Sequence, residues 1–353
     1  MSVRETIFTR DGRLGRVLLN RPKVLNALSP TQYDELGDTL AHWQGDDSVA
    51  AVLVEGEGER AFCAGGDIRA TYDAWKRGDH AFNRAVFRAE YRLDRRIHHY
   101  SKPYVAILDG IVMGGGAGIS VNGTWRVATE RTLFAMPETG IGFFPDVGAT
   151  HFLNRCPGRV GLYLGLTGAR IGPAEALWAG IATHFVPVAE LDALRSELAR
   201  AAGAADVPAA VAESLRAAHR DPGPGLLAER SATIDACFGA GRRVADIHAA
   251  LSANSWGAKV AEEMSAKAPF SLVVAHRQLT GGAGMAFDEA IRREYRLACR
   301  FLAGHDLFEG IRAQVVDRDR SPRWRPESLA EVDGMAVDAC FAPLPAEDEL
   351  DFA

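Results

Sequence analysis

The chain has 353 residues, of which 47% are hydrophobic, so it is long enough and apolar enough to bury a large core. The formal net charge is -6 and no dense run of lysine and arginine occurs, which argues against nucleic acid or an anionic membrane surface as a partner. No stretch has the apolar length of a membrane span or of a signal-peptide core, and we therefore expect a cytoplasmic protein.

Cysteine and histidine positions favour neither disulfides nor a metal site. The five cysteines form no CxxC pair, and their odd number suits reduced, packed thiols. The histidines are widely spaced, so we interpret them as structural or surface residues and expect no bound metal.

The first predicted elements are a strand and an amphipathic helix. The apolar run at 15–20 is closed by Arg21-Pro22 and is typical of a strand. Ser29, Pro30 and Gln32 supply an N-cap, a first-turn proline and a capping-box partner. The apolar residues that follow recur on one face at helical spacing: Tyr33, Leu36, Leu40 and Trp43.

Two continuous apolar runs, at 50–55 and 104–108, predict strands buried on both faces of a mostly parallel sheet. Each run is followed by a glycine turn. The segment AFCAGGDI at 61–68 contains Gly65 and Gly66, which fit either a plain tight turn or a backbone that approaches a ligand closely. The segment MGGGAGIS at 113–120 leads into a predicted helix whose first N–H groups are unpaired.

The glycine pattern is a weak match to a dinucleotide-binding motif, because its spacing is not GxGxxG and no acidic residue follows at the expected distance. Two turns that each follow a buried strand can instead point two backbone N–H groups at one oxygen. That arrangement is an oxyanion hole.

Helical patterns dominate two other parts of the chain. Residues 69–100 are charged and predicted to be helical, with Glu90 placed among apolar positions as either a partner for nearby arginines or a site residue. Beyond Pro187 the composition shifts to alanine, arginine and glutamate, which predicts a catalytic core at 1–188 and a helical region at 189–353. We expect the acidic tail at 345–353 to be frayed.

Three segments, AFCAGGDI, DGIVMGGGAGIS and MPETGIGFFPDVGATHFL, resemble the crotonase superfamily, whose members bind acyl-CoA thioesters. The stretch EYRLACRFLAGHDLFEGIRAQVVDRDRSPRWRPESLAEV and the stretch APFSLVVAHRQL are similar to the 3-hydroxyisobutyryl-CoA hydrolase branch. The resemblance covers most of the chain. It implies an α/β fold with a repeated ββα spiral core, a C-terminal helical region that completes the site or mediates self-association, and a trimer or hexamer.

The resemblance also implies roles for individual residues. The amides of Gly66 and Gly115 would form the oxyanion hole, and Glu138 would be the catalytic carboxylate. Asp146 lies where the hydrolase branch carries an aspartate, and it would be a catalytic residue that bonds the 3-hydroxyl of the substrate or holds the water and Glu138 in place. A helix N-cap is an alternative use for it. The substrate-binding residues would be Glu90, Ala64, Gly65, Asp67 and Gly114.

One departure from the superfamily separates two possible reactions. Hydratases carry a second catalytic glutamate two positions after the glycine run, where this chain has Gly118. Hydration of an enoyl thioester uses two carboxylates to position water and move protons. The absence of the second glutamate therefore argues against hydration as the reaction of this protein.

We therefore expect a hydrolase of a short 3-hydroxyacyl-CoA that needs no cofactor apart from the CoA of its substrate. In this reading Glu138 activates water or attacks the thioester itself. Two alternatives stay open: another crotonase reaction such as hydration or isomerisation, and a non-catalytic acyl-CoA-binding protein on the same fold.

Overall fold

The computed structural model describes residues 4–352. Within this range the chain forms nine β-strands: β1 (Thr6–Asp11), β2 (Leu14–Leu19), β3 (Ala51–Gly56), β4 (Ala61–Cys63), β5 (Tyr104–Leu108), β6 (Ile111–Met113), β7 (Trp125–Ala128), β8 (Leu133–Ala135) and β9 (His184–Phe185). The strands expected at 15–20, 50–55 and 104–108 are confirmed as β2, β3 and β5.

The helices are more numerous than the strands, as the alanine-rich and leucine-rich second half of the chain predicts. Those of the described range are α1 (Pro30–Gly45), α2 (Ile68–Lys76), α3 (His80–His98), α4 (Gly115–Val121), α5 (Ala149–Phe152), α6 (Val160–Thr167), α7 (Pro173–Trp178), α8 (Leu191–Ala202), α9 (Val207–Ala218), α10 (Leu226–Cys237), α11 (Val244–Ser252), α12 (Gly257–Ser265), α13 (Pro269–Thr280), α14 (Phe287–Leu302), α15 (Asp306–Ile311) and α16 (Gly334–Phe341).

The local signals at the start of α1 have the expected effect. The Ser29 amide donates a hydrogen bond to Gln32 Oε1 at 2.9 Å, which satisfies an N–H group that the helix itself cannot pair. The stretch at 69–100 is divided into two helices instead of forming one. Gly78 adopts φ +76 between α2 and α3, a conformation that interrupts a right-handed helix.

The chain divides into two compact units, each made of three segments. The first unit contains Met1–Gly66, Arg92–Phe134 and Ile171–Ala228, and the second contains Asp67–Tyr91, Ala135–Arg170 and Glu229–Ala353. These division points differ from the boundary that we expected after residue 188, and the arrangement of a core at 1–188 with a helical region at 189–353 stays a prediction.

Strands of the first unit follow a repeating order. The larger sheet has the order β1-β2-β3-β5-β7-β9, in which β1 and β2 are antiparallel and the later pairs are parallel. The smaller sheet has the order β4-β6-β8. Successive strands from β3 to β8 therefore alternate between the two sheets, and helices follow each pair. This confirms the expected α/β fold with a repeated ββα core.

One face of the larger sheet is covered by α8 and α9. The buried cluster contains Leu53, Val105, Ile107 and Val127 from the strands, together with Leu194, Leu198, Val211 and Leu215 from the two helices. Each of these side chains contributes about 2 kcal/mol when it leaves water, so this layer is a major source of stability for the unit.

The acidic tail is packed, and the expectation that it would be frayed was wrong. Arg88 donates hydrogen bonds to the carbonyl oxygens of Asp348 and Glu349, both at 2.8 Å. Arg296 Nε donates to Glu349 Oε1 at 2.8 Å, and the Leu350 side chain is buried. Arginines on α3 and α14 thus hold the tail, and the tail sequence by itself does not show those partners.

Candidate active site

The first glycine turn follows β4, and the hydrogen bonds of its neighbours fix its backbone. The Ala64 amide donates to the Leu25 carbonyl at 3.0 Å, and Leu28 donates to the Gly65 carbonyl at 2.8 Å. Gly65 itself adopts φ +112, which a residue with a side chain rarely adopts, and its amide donates to Cys63 Sγ at 3.4 Å. Among the backbone hydrogen bonds of the described residues outside helices and strands, none is donated by the Gly66 amide. Its part in an oxyanion hole stays a prediction.

The second glycine turn joins β6 to α4. Gly114 adopts φ +50 and precedes the helix, and Gly115 is the first helical residue, so its N–H has no partner within the helix. The two turns are neighbours within the first unit. A Cβ atom added to Gly65 would lie 3.5 Å from the Gly115 nitrogen, and one added to Gly116 would lie 2.2 Å from the Cys63 carbonyl oxygen. The close approach of the two turns therefore depends on glycine.

Gly118 lies inside α4 and is buried. Its amide donates to the Gly114 carbonyl at 3.2 Å, and its own carbonyl accepts a hydrogen bond from Asn122 Nδ2 at 2.9 Å. The position where hydratases carry their second glutamate is thus occupied by regular helical backbone without a side chain.

Glu138 begins a 3-10 helix, Glu138–Ile141, directly after Pro137 in the second unit. The side chain is buried, and Oε2 accepts no hydrogen bond from the residues that the structure describes. Burial, together with the negative charge of Glu90, raises the pKa of Glu138 to about 8, although a backbone hydrogen bond and the positive charge of Lys267 act in the opposite direction. A carboxylate with a pKa near neutrality is suited to accept a proton from water.

Asp146 is held by a tyrosine. Tyr91 donates its hydroxyl hydrogen to Asp146 Oδ2 at 2.6 Å. Burial, followed by the charges of Glu90 and Glu138, raises the pKa of the Asp146 carboxyl well above its usual range. The N-cap alternative is wrong, because α5 begins at Ala149 and its N-cap residue is Gly148.

The surroundings of these carboxylates explain the direction of the pKa shifts. Phe143 and Phe144 immediately precede Pro145 and Asp146, and their rings pack on Phe301 with centroids 5.5 and 5.3 Å away. An apolar environment disfavours the charged form of a carboxyl group, and a second carboxylate nearby disfavours it again. The charge of Glu90 therefore adds to burial in raising the pKa of both Glu138 and Asp146.

The expected substrate-binding residues differ in what they contact. Glu90 is buried and acts electrostatically on both Glu138 and Asp146. Asp67 has a structural use, since its carboxylate accepts a hydrogen bond from the Ala70 amide at 3.3 Å and caps α2. Ala64, Gly65 and Gly114 form the two turns described above. Contact of any of them with a substrate stays a prediction.

Three residues with a clear part in the carboxylate region were absent from the predicted site: Tyr91, Lys267 and Glu294. Tyr91 directly follows Glu90 in the sequence. Glu294 lies on the stripe of Phe287, Ile291 and Ala298, and it is fully buried. A carboxylate on the apolar face of a helix is a signal that the sequence contained.

No group of three or more histidine, cysteine, aspartate or glutamate side chains within 4–352 is arranged to hold a metal ion. None of the helices in this part of the chain combines the length and the apolar composition needed to cross a membrane.

Comparison with known proteins defines the class of protein. The enoyl-CoA hydratase/isomerase family matches residues 14–341, and the chain belongs to this family. It is 42% identical to "3-hydroxyisobutyryl-CoA hydrolase, mitochondrial" of Danio rerio, over 98% of this chain and 91% of that protein. It is 40% identical to 3-hydroxyisobutyryl-CoA hydrolase 1 of Arabidopsis thaliana, over 99% of this chain and 95% of that protein.

Two solved structures of similar sequence have the same fold as this chain, but their names describe other reactions. A carnitinyl-CoA dehydratase from Mycobacterium thermoresistibile is 42% identical, with a TM-score of 0.91 over 99% of this chain and 98% of that chain. An enoyl-CoA hydratase from Rhodobacter sphaeroides 2.4.1 is 37% identical, with a TM-score of 0.91 over 99% and 100% of the two chains. The fold is thus firmly established, while the names of similar proteins include both hydrolases and lyases.

Proposed function

We propose that this protein is an acyl-CoA thioester hydrolase that converts 3-hydroxyisobutyryl-CoA to 3-hydroxyisobutyrate and CoA, a step of valine breakdown. The observation that carries the proposal is the similarity, over nearly the whole chain, to curated relatives named 3-hydroxyisobutyryl-CoA hydrolases. The absence of a side chain at Gly118 and the pair of buried carboxylates, Glu138 and Asp146, support the same reaction.

In the proposed reaction the Gly66 and Gly115 amides donate hydrogen bonds to the thioester carbonyl oxygen. As water or a carboxylate adds to the carbonyl carbon, negative charge develops on that oxygen, and each preorganised N–H stabilises it by about 3 kcal/mol. The tetrahedral intermediate then expels the sulfur of CoA, which takes up a proton. The reaction needs no cofactor other than the CoA portion of the substrate.

Glu138 has two possible parts in this scheme. As a general base, it removes a proton from water while the water oxygen bonds to the carbonyl carbon. As a nucleophile, it forms a mixed anhydride and releases CoA, and water then opens the anhydride. Transfer of label from 18O-labelled water to Glu138 in a single turnover would establish the anhydride, because only water attack on the Glu138 carbonyl of an anhydride labels the protein.

Asp146 is the proposed partner of the 3-hydroxyl group of the substrate. The proposal assigns Oδ1 of Asp146 to the hydrogen bond with the ligand, because Tyr91 already bonds Oδ2. Because burial raises the pKa of this carboxyl, it is able to donate or accept a proton in that hydrogen bond.

Hydration or dehydration is the second candidate, favoured by the names of the two solved structures at 42% and 37% identity. A thiol reagent that reports free CoA separates the candidates. Release from 3-hydroxyisobutyryl-CoA supports the hydrolase, whereas loss of the enoyl absorbance of crotonyl-CoA without thiol release would establish the second candidate. Binding of both esters without either reaction would indicate a non-catalytic acyl-CoA-binding protein.

We also infer a cytoplasmic location and self-association into a trimer or hexamer. The names of the vertebrate relatives specify the mitochondrion for those proteins, so cell fractionation is the direct test, and recovery with mitochondrial markers would overturn the proposed compartment. Sedimentation equilibrium measures the association state, and a monomer at micromolar concentration would contradict the proposed one.

A further inference from the structure

The turn that carries Asp146 has an unusual backbone. Val147 adopts φ +54 and Gly148 adopts φ +90, so two consecutive residues lie in the left-handed region. Positive φ is rare for a β-branched residue such as valine, because its side chain crowds the backbone there. A turn of this kind persists only when its surroundings hold it in place.

Glu294, on α14, is bonded directly to this turn. Its side chain is fully buried, Oε2 accepts a hydrogen bond from the Gly148 amide at 2.7 Å, and Oε1 accepts one from the Thr150 amide at 2.8 Å. One carboxylate therefore fixes two alternate amides immediately after the strained residue. These hydrogen bonds favour the ionised carboxylate and oppose the effect of burial, which raises the pKa of Glu294 to about 7.

Gln278, on α13, bonds the turn on both sides of Asp146. Its Nε2 donates to the Pro145 carbonyl at 2.7 Å and to Thr150 Oγ1 at 2.9 Å. Nε2 also lies 3.5 Å from Glu294 Oε1, so the two side chains form one buried network under the turn. The peptide groups before and after Asp146 are thus both held by side chains from distant parts of the sequence.

The carboxylate of Asp146 is fixed from another direction by Tyr91, which donates a hydrogen bond to Oδ2. A side chain whose backbone and one oxygen are both fixed presents its other oxygen in one direction. Selectivity for a substrate hydroxyl requires that the protein oxygen be held within a few tenths of an ångström, because a hydrogen bond weakens steeply with poor geometry.

We propose that Glu294, assisted by Gln278, is a positioning residue that holds the Asp146 turn and so makes the enzyme selective for acyl groups that carry a 3-hydroxyl. This inference rests on the proposed function, because it assigns the hydroxyl of the substrate to Asp146. Glu294 does not touch the substrate and acts through the backbone of residues 146–150.

The test is a ratio of specificity constants. The numerator is kcat/KM for 3-hydroxyisobutyryl-CoA, and the denominator is kcat/KM for isobutyryl-CoA, which lacks only the hydroxyl. In Glu294→Gln the side-chain NH2 group replaces one of the two acceptor oxygens. It then faces a backbone N–H of the turn, so two hydrogen-bond donors meet and that hydrogen bond is lost. We expect the ratio to fall about 10- to 100-fold, the range for loss of a hydrogen bond to a charged group.

A matched control separates positioning from general damage. Glu55, on strand β3, is another buried carboxylate. It accepts hydrogen bonds from Arg16 at 3.0 Å and from Arg195 at 2.7 Å. Glu55→Gln should lower the stability of the protein and leave the ratio unchanged. Gln278→Met, a milder change that keeps side-chain volume, should lower the ratio less than Glu294→Gln and serves as the test if Glu294→Gln does not fold.

An unchanged ratio in a folded Glu294→Gln variant, whatever its absolute rate, would overturn the proposal, and so would a wild-type ratio near one. Failure of the wild type to release thiol from 3-hydroxyisobutyryl-CoA would instead defeat the proposed function. In that case the ratio of the dissociation constants of the two thioesters, measured by calorimetry, still shows whether Glu294 governs recognition of the hydroxyl.

Discussion

The two glycine turns and the cluster of buried carboxylates, Glu90, Glu138 and Asp146, differ in the chemical groups that they provide and in what each requires of its surroundings. The turns use backbone amides, and their requirement is space, because a Cβ on Gly116 would overlap the Cys63 carbonyl. The carboxylates use side chains, and their requirement is an environment that raises the pKa of Glu138 to about 8. A backbone donor keeps its charge distribution wherever it is placed, whereas a carboxyl group acquires its reactivity from its neighbours.

This difference predicts different responses to mutation. Changes in the turns should alter stabilisation of the carbonyl oxygen and leave the pH dependence alone. Changes around the carboxylates should alter proton transfer and its pH dependence. Variants in the turns and variants around the carboxylates therefore distinguish stabilisation of the carbonyl oxygen from proton transfer.

Glu138→Gln should reduce kcat for thioester hydrolysis about 10³-fold, because an amide neither accepts the proton of water nor acts as a nucleophile at this site. The dissociation constant for the CoA ester should change only a few-fold, since the glycine amides are untouched. Thiol release and calorimetry measure the two quantities. A rate within a few-fold of the wild type would show that Glu138 is not the reacting carboxylate.

Gly65→Ala should reduce kcat about 10²-fold, because φ +112 is strained for alanine and relaxation of the turn displaces the Gly66 amide. Gly37→Ala is the matched control: a Cβ on Gly37, in α1, meets no atom within 4 Å, so activity should be unchanged. The pH profile of Gly65→Ala should match that of the wild type. Equal rates for both variants would exclude this turn as an oxyanion hole.

The pH dependence should follow Glu138. If this carboxylate is the base, it must be ionised, so kcat/KM should rise with pH and level off above about 8, the pKa of Glu138. Glu90→Gln removes a negative charge and should move this limb to lower pH. Lys267→Gln removes a positive charge and should move it to higher pH. Shifts in the same direction for both variants would contradict the electrostatic account.

An exposed carboxylate provides the control for those pH profiles. Glu197 on α8 is paired with Arg200 at the surface, so Glu197→Gln should leave the limb in place because solvent screens its charge.

The smallest effect is expected from Gly118→Glu, which places a carboxylate where hydratases carry their second one. We expect weak hydration of crotonyl-CoA, since one added group supplies only part of the geometry that moves two protons. The assay is loss of enoyl absorbance, with the wild type as the baseline. Complete absence of hydration in a folded variant would show that more than one carboxylate separates the two reactions.

Much of the fold was predictable because it depends on local patterns. The apolar runs of strand length, the Ser29-Pro30-Gln32 start signal and the glycine turns are each contained within a few consecutive residues. Each of them appears where expected. The break at Gly78 and the packed tail were missed. The tail is held by Arg88 and Arg296, which are distant in sequence.

The candidate site was predictable only in part. Glu138, Asp146 and the glycines were identified from motifs, but Tyr91 and Glu294 were not, because their importance comes from hydrogen bonds to Asp146 and to the Gly148 amide. A side chain that acts through another residue leaves little trace in a local pattern.

The amino-acid sequence was enough to predict the alternation of strands and helices, the two glycine turns, and the absence of a second hydratase glutamate at position 118. These follow from backbone conformation and residue identity, which are local properties. The folded structure was needed to show which carboxylates are buried together, the direction in which their pKa values shift, and the hydrogen bonds between Glu294 and the Asp146 turn. Those properties depend on solvent exclusion and on contacts between residues far apart in the chain, which no local stretch of sequence contains.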